Sequence, residues 1–575
     1  MRRLLATTLL FLACLFGLAG QASGHALLKS SSPARGAQLK DAPEHVDFTF
    51  DEPVEASLGA VRVFNTSGDQ VQTDDLERPG DNADTVGAGL PADLPDGLYT
   101  ATYHVVSADS HPVSGGITFT VGKPGRDLGG FTQSKTISEL LAESEAGKVT
   151  EVAFWADRWI GYLAIALAVG ALAWMLLVWR PESTTAGIDR SPVERSFRKL
   201  VLVVSAAGLL ASLLAIAFQG SIGAGTSFWH AFGSGIPGEV IHTRFGSVML
   251  VRSAIWLLLI GLVLTGGRHF SRLGPVSLLA LGAGLALAVT PAFAGHASTR
   301  DPGWLLVPSD IVHVSAMAVW TGGLASMLLL LPAATRQLGE PADRTGLLTR
   351  AALRFSTIAL VAVALIGVSG AVQSIVEVGS VPDLFDTQFG RAVSIKIVLF
   401  AILIGLGAAN RTRIIPGLVR RLDRAESPGE PGNRLRQSLR LEVVLVTIVL
   451  GVTAALVSYP PPDSIQAGPA SGAVVVQGKR LEYTVDPARV GGNEVHLYVF
   501  NDRTGAPVKV RSMEVSFSLP DAGIAPIEAA ARRAGPGHFV VPSATLGVRG
   551  RWEAEVAMRL SEFDEPIADF KVDVK

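Results

Sequence analysis

Two histidines and one carboxylate near the start of the chain have types and positions that could do metal chemistry. His25 follows a stretch with the marks of a secretory signal: Arg2 and Arg3, an apolar run from Leu4 to about Leu18, then Ala22-Ser23-Gly24. The last three place small side chains at the −3 and −1 positions of a cut before His25. After that cut His25 would carry a free α-amine and a neutral imidazole on one residue. That chelate suits Cu(II), which favours tetragonal nitrogen and oxygen ligation and heads the divalent affinity series. Asp109 and His111 are two residues apart, so in an extended segment their side chains share a face. They would add an oxygen and a third nitrogen. By themselves, Asp109-Ser110-His111-Pro112 reads at least as well as a polar turn and His25 as a frayed terminus, so both readings stay open at this level. Two rivals to the cut are an uncleaved anchor and lipidation at Cys14, for which Phe11-Leu12-Ala13 is a poor lipobox.

A second constellation lies deep in apolar sequence. Asp310, His313 and Met317 stand at i, i+3 and i+7, on one helix face. His313 and Met317 present an imidazole above a thioether, a pair that suits copper, the sulfur favouring Cu(I). Polar groups inside a spanning helix are costly and therefore informative. His242, beside Arg244, and His296 fall at the ends of neighbouring apolar segments, with His230 in the loop before His242. Singly, His242 and His296 read as interfacial residues and Met317 as core. Jointly, His242, His296, Asp310, His313 and Met317 outline a path by which a metal could enter the membrane. Arg252 and Lys396 are buried cations and Glu442 an intramembrane acid; they are expected to pair with one another or with Asp310, for structure as readily as for transport.

These residues need a frame. The chain has 575 residues, 48% hydrophobic and only 17% charged, well under the roughly 25% of soluble domains. Mean hydropathy is +0.38. An integral membrane protein with attached soluble mass is expected. A net charge of −2 offers no basic field for nucleic acid. The single cysteine, Cys14, lies in the signal segment, which excludes disulfide frameworks, zinc ribbons and CxxC motifs from the rest. No GxxxxGK[ST] occurs, and Asp343-Arg344-Thr345-Gly346 only superficially resembles an aspartyl-phosphate motif, so ATP is not expected as the driver.

From His25 to about Gly122, apolar and polar residues alternate at Val46–Phe50, Ala60–Phe64, Leu98–Val106 and Gly116–Val121, the pattern of half-buried strands. Eight apolar segments follow, at about 152–179, 199–219, 245–266, 275–294, 306–332, 355–376, 392–410 and 438–459. Each is near the roughly 20 residues that span a bilayer. Alternate connections are rich in arginine (Arg190, Arg195 and Arg198; Arg268 and Arg272; Arg344, Arg350 and Arg354; Arg420, Arg421, Arg424, Arg434 and Arg436), so they are read as cytoplasmic and both ends of the membrane unit as outward. After Pro460-Pro461-Pro462, strand-like segments recur from about Ala473 to Lys575. The expected organisation is a signal peptide (1–24), a β-domain (25–122), a linker (123–150), an eight-span α-bundle (151–460), a second linker (461–472) and a second outward β-domain (473–575). The first β-domain is expected to be a sandwich or barrel, the last an immunoglobulin-like sandwich.

His25-Ala-Leu-Leu-Lys-Ser-Ser-Ser-Pro33, together with Val106-Ser107-Ala108-Asp109-Ser110-His111-Pro112-Val113-Ser114-Gly115, resembles the two signature stretches of the CopC family of extracytoplasmic copper-binding β-barrels. The resemblance implies Cu(II) ligation by His25, Asp109 and His111, with Glu52 of Phe50-Asp51-Glu52-Pro53 where some members carry a further acidic ligand. Residues 25–122 contain no methionine, so the Cu(I) site of Met-rich members is not expected; His45 and His104 match no ligand position. Thr243-Arg244-Phe245-Gly246, Gly295-His296-Ala297, Asp310-Ile311-Val312-His313 through Trp320-Thr321-Gly322-Gly323, Phe389-Gly390-Arg391 with Lys396, and Leu439-Arg440-Leu441-Glu442 resemble the CopD family of copper-resistance and copper-uptake membrane proteins. The C-terminal domain resembles YtkA-like β-domains; His496 reads as a strand-face residue, and no metal site is expected there.

The whole therefore resembles a CopC–CopD fusion in the plasma membrane that captures Cu(II) outside and conducts copper across the bilayer, inward by preference because the candidate ligands gather outside. A copper chaperone or a reductase is a candidate partner, and no enzymatic activity is expected. The alternatives are tolerance, export or sequestration, a copper-dependent oxidase built on the terminal histidine, and a haem electron-transfer protein.

Overall fold

The computed structural model describes residues 26, 28–34, 37–56, 60–65, 67–73, 76–107, 112–122, 146–185, 189–233, 236–266, 274–300, 302–459, 470–504, 506–535 and 537–574. The signal segment, His25, Asp109, His111 and most of the expected first linker lie outside them. The chain forms two compact units, one helical and the other made of the two β-domains with Gly220–Ile236.

The first β-domain has two four-stranded sheets. One runs β1 (Leu28–Ser32), β3 (His45–Phe50), β6 (Thr85–Gly89), β5 (Leu76–Glu77); the other β2 (Ala37–Leu39), β8 (Pro112–Val121), β7 (Gly97–Val106), β4 (Val61–Phe64). All pairings are antiparallel except β2 with β8. Alternation fixes the inward face: Val46, Phe48 and Phe50 of β3 meet Tyr99, Ala101, Tyr103 and Val105 of β7 in the core. The Tyr103 ring contacts Phe48 at 4.9 Å and Phe50 at 5.3 Å between centroids.

The C-terminal domain is a sandwich of a five-stranded sheet, β14 (Arg532–Gly535), β15 (His538–Leu546), β11 (Gly491–Asn501), β10 (Lys479–Asp486), β9 (Ala470–Val476), on a four-stranded one, β13 (Ile524–Ala530), β12 (Ser512–Leu519), β16 (Gly550–Arg559), β17 (Ile567–Val574). Val495, Leu497 and Val499 of β11 face this core with Trp552 and Phe570. The opposite face of β11, carrying Glu494, His496, Tyr498 and Phe500, is buried as well. Against it Thr118 of β8 donates a hydrogen bond to Glu494 Oε1 at 2.7 Å, so the two sandwiches touch through polar groups.

Among the described residues, eight helices are long and apolar enough to span a membrane: α1 (Lys148–Thr184), α2 (Ser191–Gly223), α3 (Arg244–Thr265), α4 (Pro275–Ala294), α5 (Gly303–Thr335), α6 (Pro341–Val378), α7 (Gln388–Asp423) and α8 (Gly429–Leu456). The shortest, α4, has 20 residues, about 30 Å at 1.5 Å per residue. Several boundaries differ from expectation: α1 begins inside the expected linker, α2 starts at Ser191 rather than about 199, α6 starts at Pro341 rather than about 355 and runs two residues past 376, α7 continues to Asp423 rather than about 410, and α8 starts at Gly429 rather than about 438. Leu360, Val368 and Val398 are 57%, 68% and 60% exposed. Such apolar surface would aggregate in water but is at no disadvantage against lipid tails. The core of the bundle is α1 against α5, which approach so closely that a Cβ added at Gly322 would lie 2.2 Å from Ala166 O and 2.7 Å from Gly170 Cα. The end of the bundle at which the chain joins α1 and leaves α8 is termed the upper end below.

Candidate copper sites

In the first β-domain, backbone pairing brings three segments to one end. Register Leu28↔Phe50 sets the chain entering β1 beside the chain leaving β3. Beyond Phe50, Glu55 and Val106 form a bridge with reciprocal bonds, Glu55 N to Val106 O at 2.7 Å and Val106 N to Glu55 O at 2.8 Å. The segment holding Glu52 is thereby pinned to the strand end that leads into residues 108–111. Glu52 is 3% exposed, Ala26 0% and Ser107 1%, so the described flanks of all three segments are buried. His45 lies at the far end of β3, paired with Gly89, and is exposed. His104 is engaged elsewhere: its Nε2 meets Ile222 O at 2.9 Å. Burial holds the His104 ring below its ordinary pKa, partly opposed by that bond. Neither histidine joins the converging segments. Among the described residues no group of three or more His, Cys, Asp or Glu side chains could hold a metal ion; His25, Asp109 and His111 lie outside them.

In the bundle, α5 carries Asp310, His313 and Met317 about 10, 15 and 21 Å from its start at Gly303, at 1.5 Å rise per residue. They face α6. His313 Nδ1 is 3.0 Å from Ser369 Oγ, and that hydroxyl donates its own proton to Leu365 O at 2.6 Å. Ser369 therefore accepts from His313, Nδ1 carries the ring proton, and Nε2 is left with the lone pair a metal needs. Gly370 leaves room for the ring beside α6: a Cβ there would be 3.2 Å from Cε1. Gln373 Nε2 donates to Asp310 Oδ1 at 3.5 Å, and Ser309 Oγ donates to Ser369 O at 3.1 Å. Met317 is half-buried and packs on the bundle core.

Glu377 belongs to this set although sequence reasoning passed over it. Ser369, Gln373 and Glu377 follow one another at i, i+4 and i+8 on α6. Lys396 of α7 interacts electrostatically with both Asp310 and Glu377. The signal was that four-residue spacing, hidden by ending the span at 376. Asp157 of α1, buried and within electrostatic reach of Arg252, was missed likewise.

At the upper end His242 is exposed, just before α3. His296 opens a single 3-10 turn, His296–Ser298, between α4 and α5; its side chain lies outside the described ones. Arg244 donates to Ser298 Oγ, which ties the His242 stretch to the His296 stretch. Two expected pairings are not made. Glu442 does not reach Arg252, Lys396 or Asp310; Asn410 Nδ2 donates to its Oε1 at 2.5 Å and Ser438 Oγ at 3.1 Å, local donors meeting the demand of a carboxylate in apolar surroundings. Arg252 donates from Nε to Thr290 Oγ1 at 2.8 Å and from one terminal nitrogen to Met249 Sδ at 3.5 Å. His496 lies on a strand face, as expected. That face of β11 is itself buried, and His496 is fully buried in contact with His538 of β15.

Comparison with known proteins adds the following. Residues 28–122 match the CopC domain, residues 149–307 the copper resistance protein D-like N-terminal domain, and residues 349–456 copper resistance protein D. The chain is 30% identical over 550 residues to the copper transport protein CutJ of Bacillus subtilis (strain 168), spanning 94% of both chains. It is 29% identical over 278 residues to copper resistance protein D of Pseudomonas syringae pv. tomato, covering 47% of this chain and 86% of that one. Among solved structures, CopC from Methylosinus trichosporium OB3b aligns at 26% identity over 18% of this chain and 100% of that one, with a TM-score of 0.16.

Proposed function

This chain belongs to the family of CopC–CopD fusion copper transport proteins, and from that premise we propose that it captures Cu(II) outside the cell and imports copper through its helical bundle. Both β-domains face outward, on the charge asymmetry of the connections. The α-amine and imidazole of His25, the imidazole of His111 and the carboxylate of Asp109 hold the incoming ion, with Glu52 alongside. Copper then passes the upper-end histidines His242 and His296 and reaches Asp310, His313 and Met317. Asp310, Glu377 and Lys396 keep this part of the bundle polar, which eases the passage of a cation through a low-dielectric medium. The thioether of Met317, deepest of the three ligands, favours Cu(I).

The observation that supports this reading is the His313–Ser369 contact within a span: with the Ser369 hydroxyl donating to Leu365 O, it accepts from Nδ1–H and Nε2 is free to meet a metal. A histidine held by a hydrogen bond from its other nitrogen is the usual arrangement for a metal ligand. The test is cellular copper content in a deletion strain carrying the wild type or His313→Ala, with membrane insertion checked by immunoblot. Copper-dependent accumulation restored by the wild type and lost in the variant is expected. Accumulation unaffected by either gene, or a fully active variant, refutes the assignment.

A further inference from the structure

The face of the β7–β8 pair that turns away from the first β-domain's core is covered too. Ala101, Tyr103 and Val105 of β7 and Ile117 and Phe119 of β8 point into that core. Alternation therefore turns Thr102, His104, Val106 and Thr118 to the other side, which a lone sandwich leaves to water. Here Thr102, Val106 and Thr118 are only 3%, 5% and 1% exposed.

Two parts of the same compact unit meet this face. At Thr118 it is β11 of the C-terminal domain, through the 2.7 Å bond to Glu494. At the strand end that leads to residues 108–111 it is the connection Gly220–Ile236. His104 Nε2 lies 2.9 Å from Ile222 O; a carbonyl only accepts, so the ring donates its Nε2 proton. Two residues along the same face, Val106 sits on Gly223, where a Cβ would come 2.9 Å from its Cγ2. A larger residue at 223 would push the strand end away. Val106 is also tied through its backbone to Glu55. The end of β7 is thus held by backbone on one side, and by one hydrogen bond and one close apolar contact on the other. To leave, the domain would have to give up the contacts at Ile222 and Gly223 and the bond to Glu494 together.

We propose that the first β-domain works from this docked position. It stays on Gly220–Ile236 with and without copper, and it passes copper on from there, His104 and the bare Gly223 acting as positioning residues and not as ligands. The passing-on rests on the import reading above; the docking does not. Full-length protein in detergent is followed by hydrogen exchange with mass spectrometry over residues 220–236, empty and loaded with Cu(II). Equal protection in both states is expected. Exchange there should be about tenfold faster in His104→Phe, as loss of one hydrogen bond implies, and restored in His104→Gln, whose amide can donate to the same carbonyl. Affinity for Cu(II) should be the same in all three proteins, which separates positioning from ligation. Deprotection on copper loading, wild-type exchange in a folded His104→Phe, or copper affinity lost in that variant overturns the proposal.

A second measurement locks the contact with Val106→Cys and Gly223→Cys together. A Cβ at 223 lies 2.9 Å from Val106 Cγ2, itself one bond of about 1.5 Å from Val106 Cβ, so the two Cβ atoms are at most about 4.4 Å apart, within reach of a disulfide. Uptake is measured with ascorbate as reductant, which leaves the disulfide intact. The locked protein should still take up copper. If the wild type takes up copper and the locked protein, still binding Cu(II), does not, the domain must leave its dock and the proposal falls. If the wild type takes up none, the import reading falls and the exchange result alone decides the docking.

Discussion

Replacing Gly322 by alanine should loosen the bundle at its tightest point. The new Cβ would lie 2.2 Å from Ala166 O and 2.7 Å from Gly170 Cα, both backbone atoms. Non-bonded carbon atoms prefer about 3.5–4.0 Å, so α1 and α5 must part by about 1 Å or more at this crossing. Overpacking of this kind costs about 1–3 kcal/mol, offset by the roughly 1 kcal/mol that alanine gains over glycine in a helix. The net expectation is a loss of up to about 2 kcal/mol. Gly405 of α7 is the matched control, since a Cβ there meets nothing within 4 Å and only the helical gain of about 1 kcal/mol remains. Purified variants are unfolded in mixed detergent micelles while helicity is followed by circular dichroism. Gly322→Ala should melt earlier than the wild type and Gly405→Ala no earlier. Because α5 also carries Asp310 and His313, the same variant should lower copper uptake. If Gly322→Ala is as stable as Gly405→Ala, the close α1–α5 approach is wrong, and with it the reason for small residues in Trp320-Thr321-Gly322-Gly323.

Further outcomes follow from individual contacts. Ser369→Ala removes the acceptor that fixes the His313 tautomer and should raise the copper concentration for half-maximal uptake about 10–100-fold, read from uptake curves, while the variant still inserts. Thr118→Val leaves the buried Glu494 carboxylate without that donor and should cost about 1–3 kcal/mol, read from denaturant unfolding of the purified protein. Burial, and then neighbouring His496, hold His538 well below the ordinary histidine pKa. The folded state therefore binds a proton there less readily than the unfolded chain, whose pKa is about 6.5. The stabilisation is fully present above about pH 6.5 and is lost on acidification, by up to about 1.4 kcal/mol per pH unit. Melting temperature against pH should fall below that point for the wild type and less steeply for His538→Phe; identical slopes would refute the assignment.

Much of the architecture was legible because it follows from simple periodicities. The long apolar runs became α1 to α8, and alternation in Val46–Phe50 or Leu98–Val106 became core-facing strands, since burial of one face is what selects a strand register. The sites were legible as residue types and less so as arrangements. Nothing in the spacing of Leu28, Glu55 and Val106 says that their segments meet at one end of a sandwich; that comes from long-range pairing. Glu377 was hidden by two residues of helix boundary, the least certain feature of any reading by hydropathy. The burial of His496 was hidden for a different reason. Alternation along β11 sends Val495, Leu497 and Val499 inward, so Glu494 and His496 fell on the face that a lone sandwich leaves to water. Here that face is covered too, which one strand's pattern cannot reveal.

Copper flux into proteoliposomes holding the purified protein tests the central claim most directly. With the β-domains facing out, fixed by protease accessibility of those domains, radioactive copper is supplied outside together with a reductant. Saturable accumulation inside, abolished in His313→Ala and needing no ATP, is the expected result. Accumulation equal to that of protein-free vesicles, or net movement only from inside to outside, would contradict copper import.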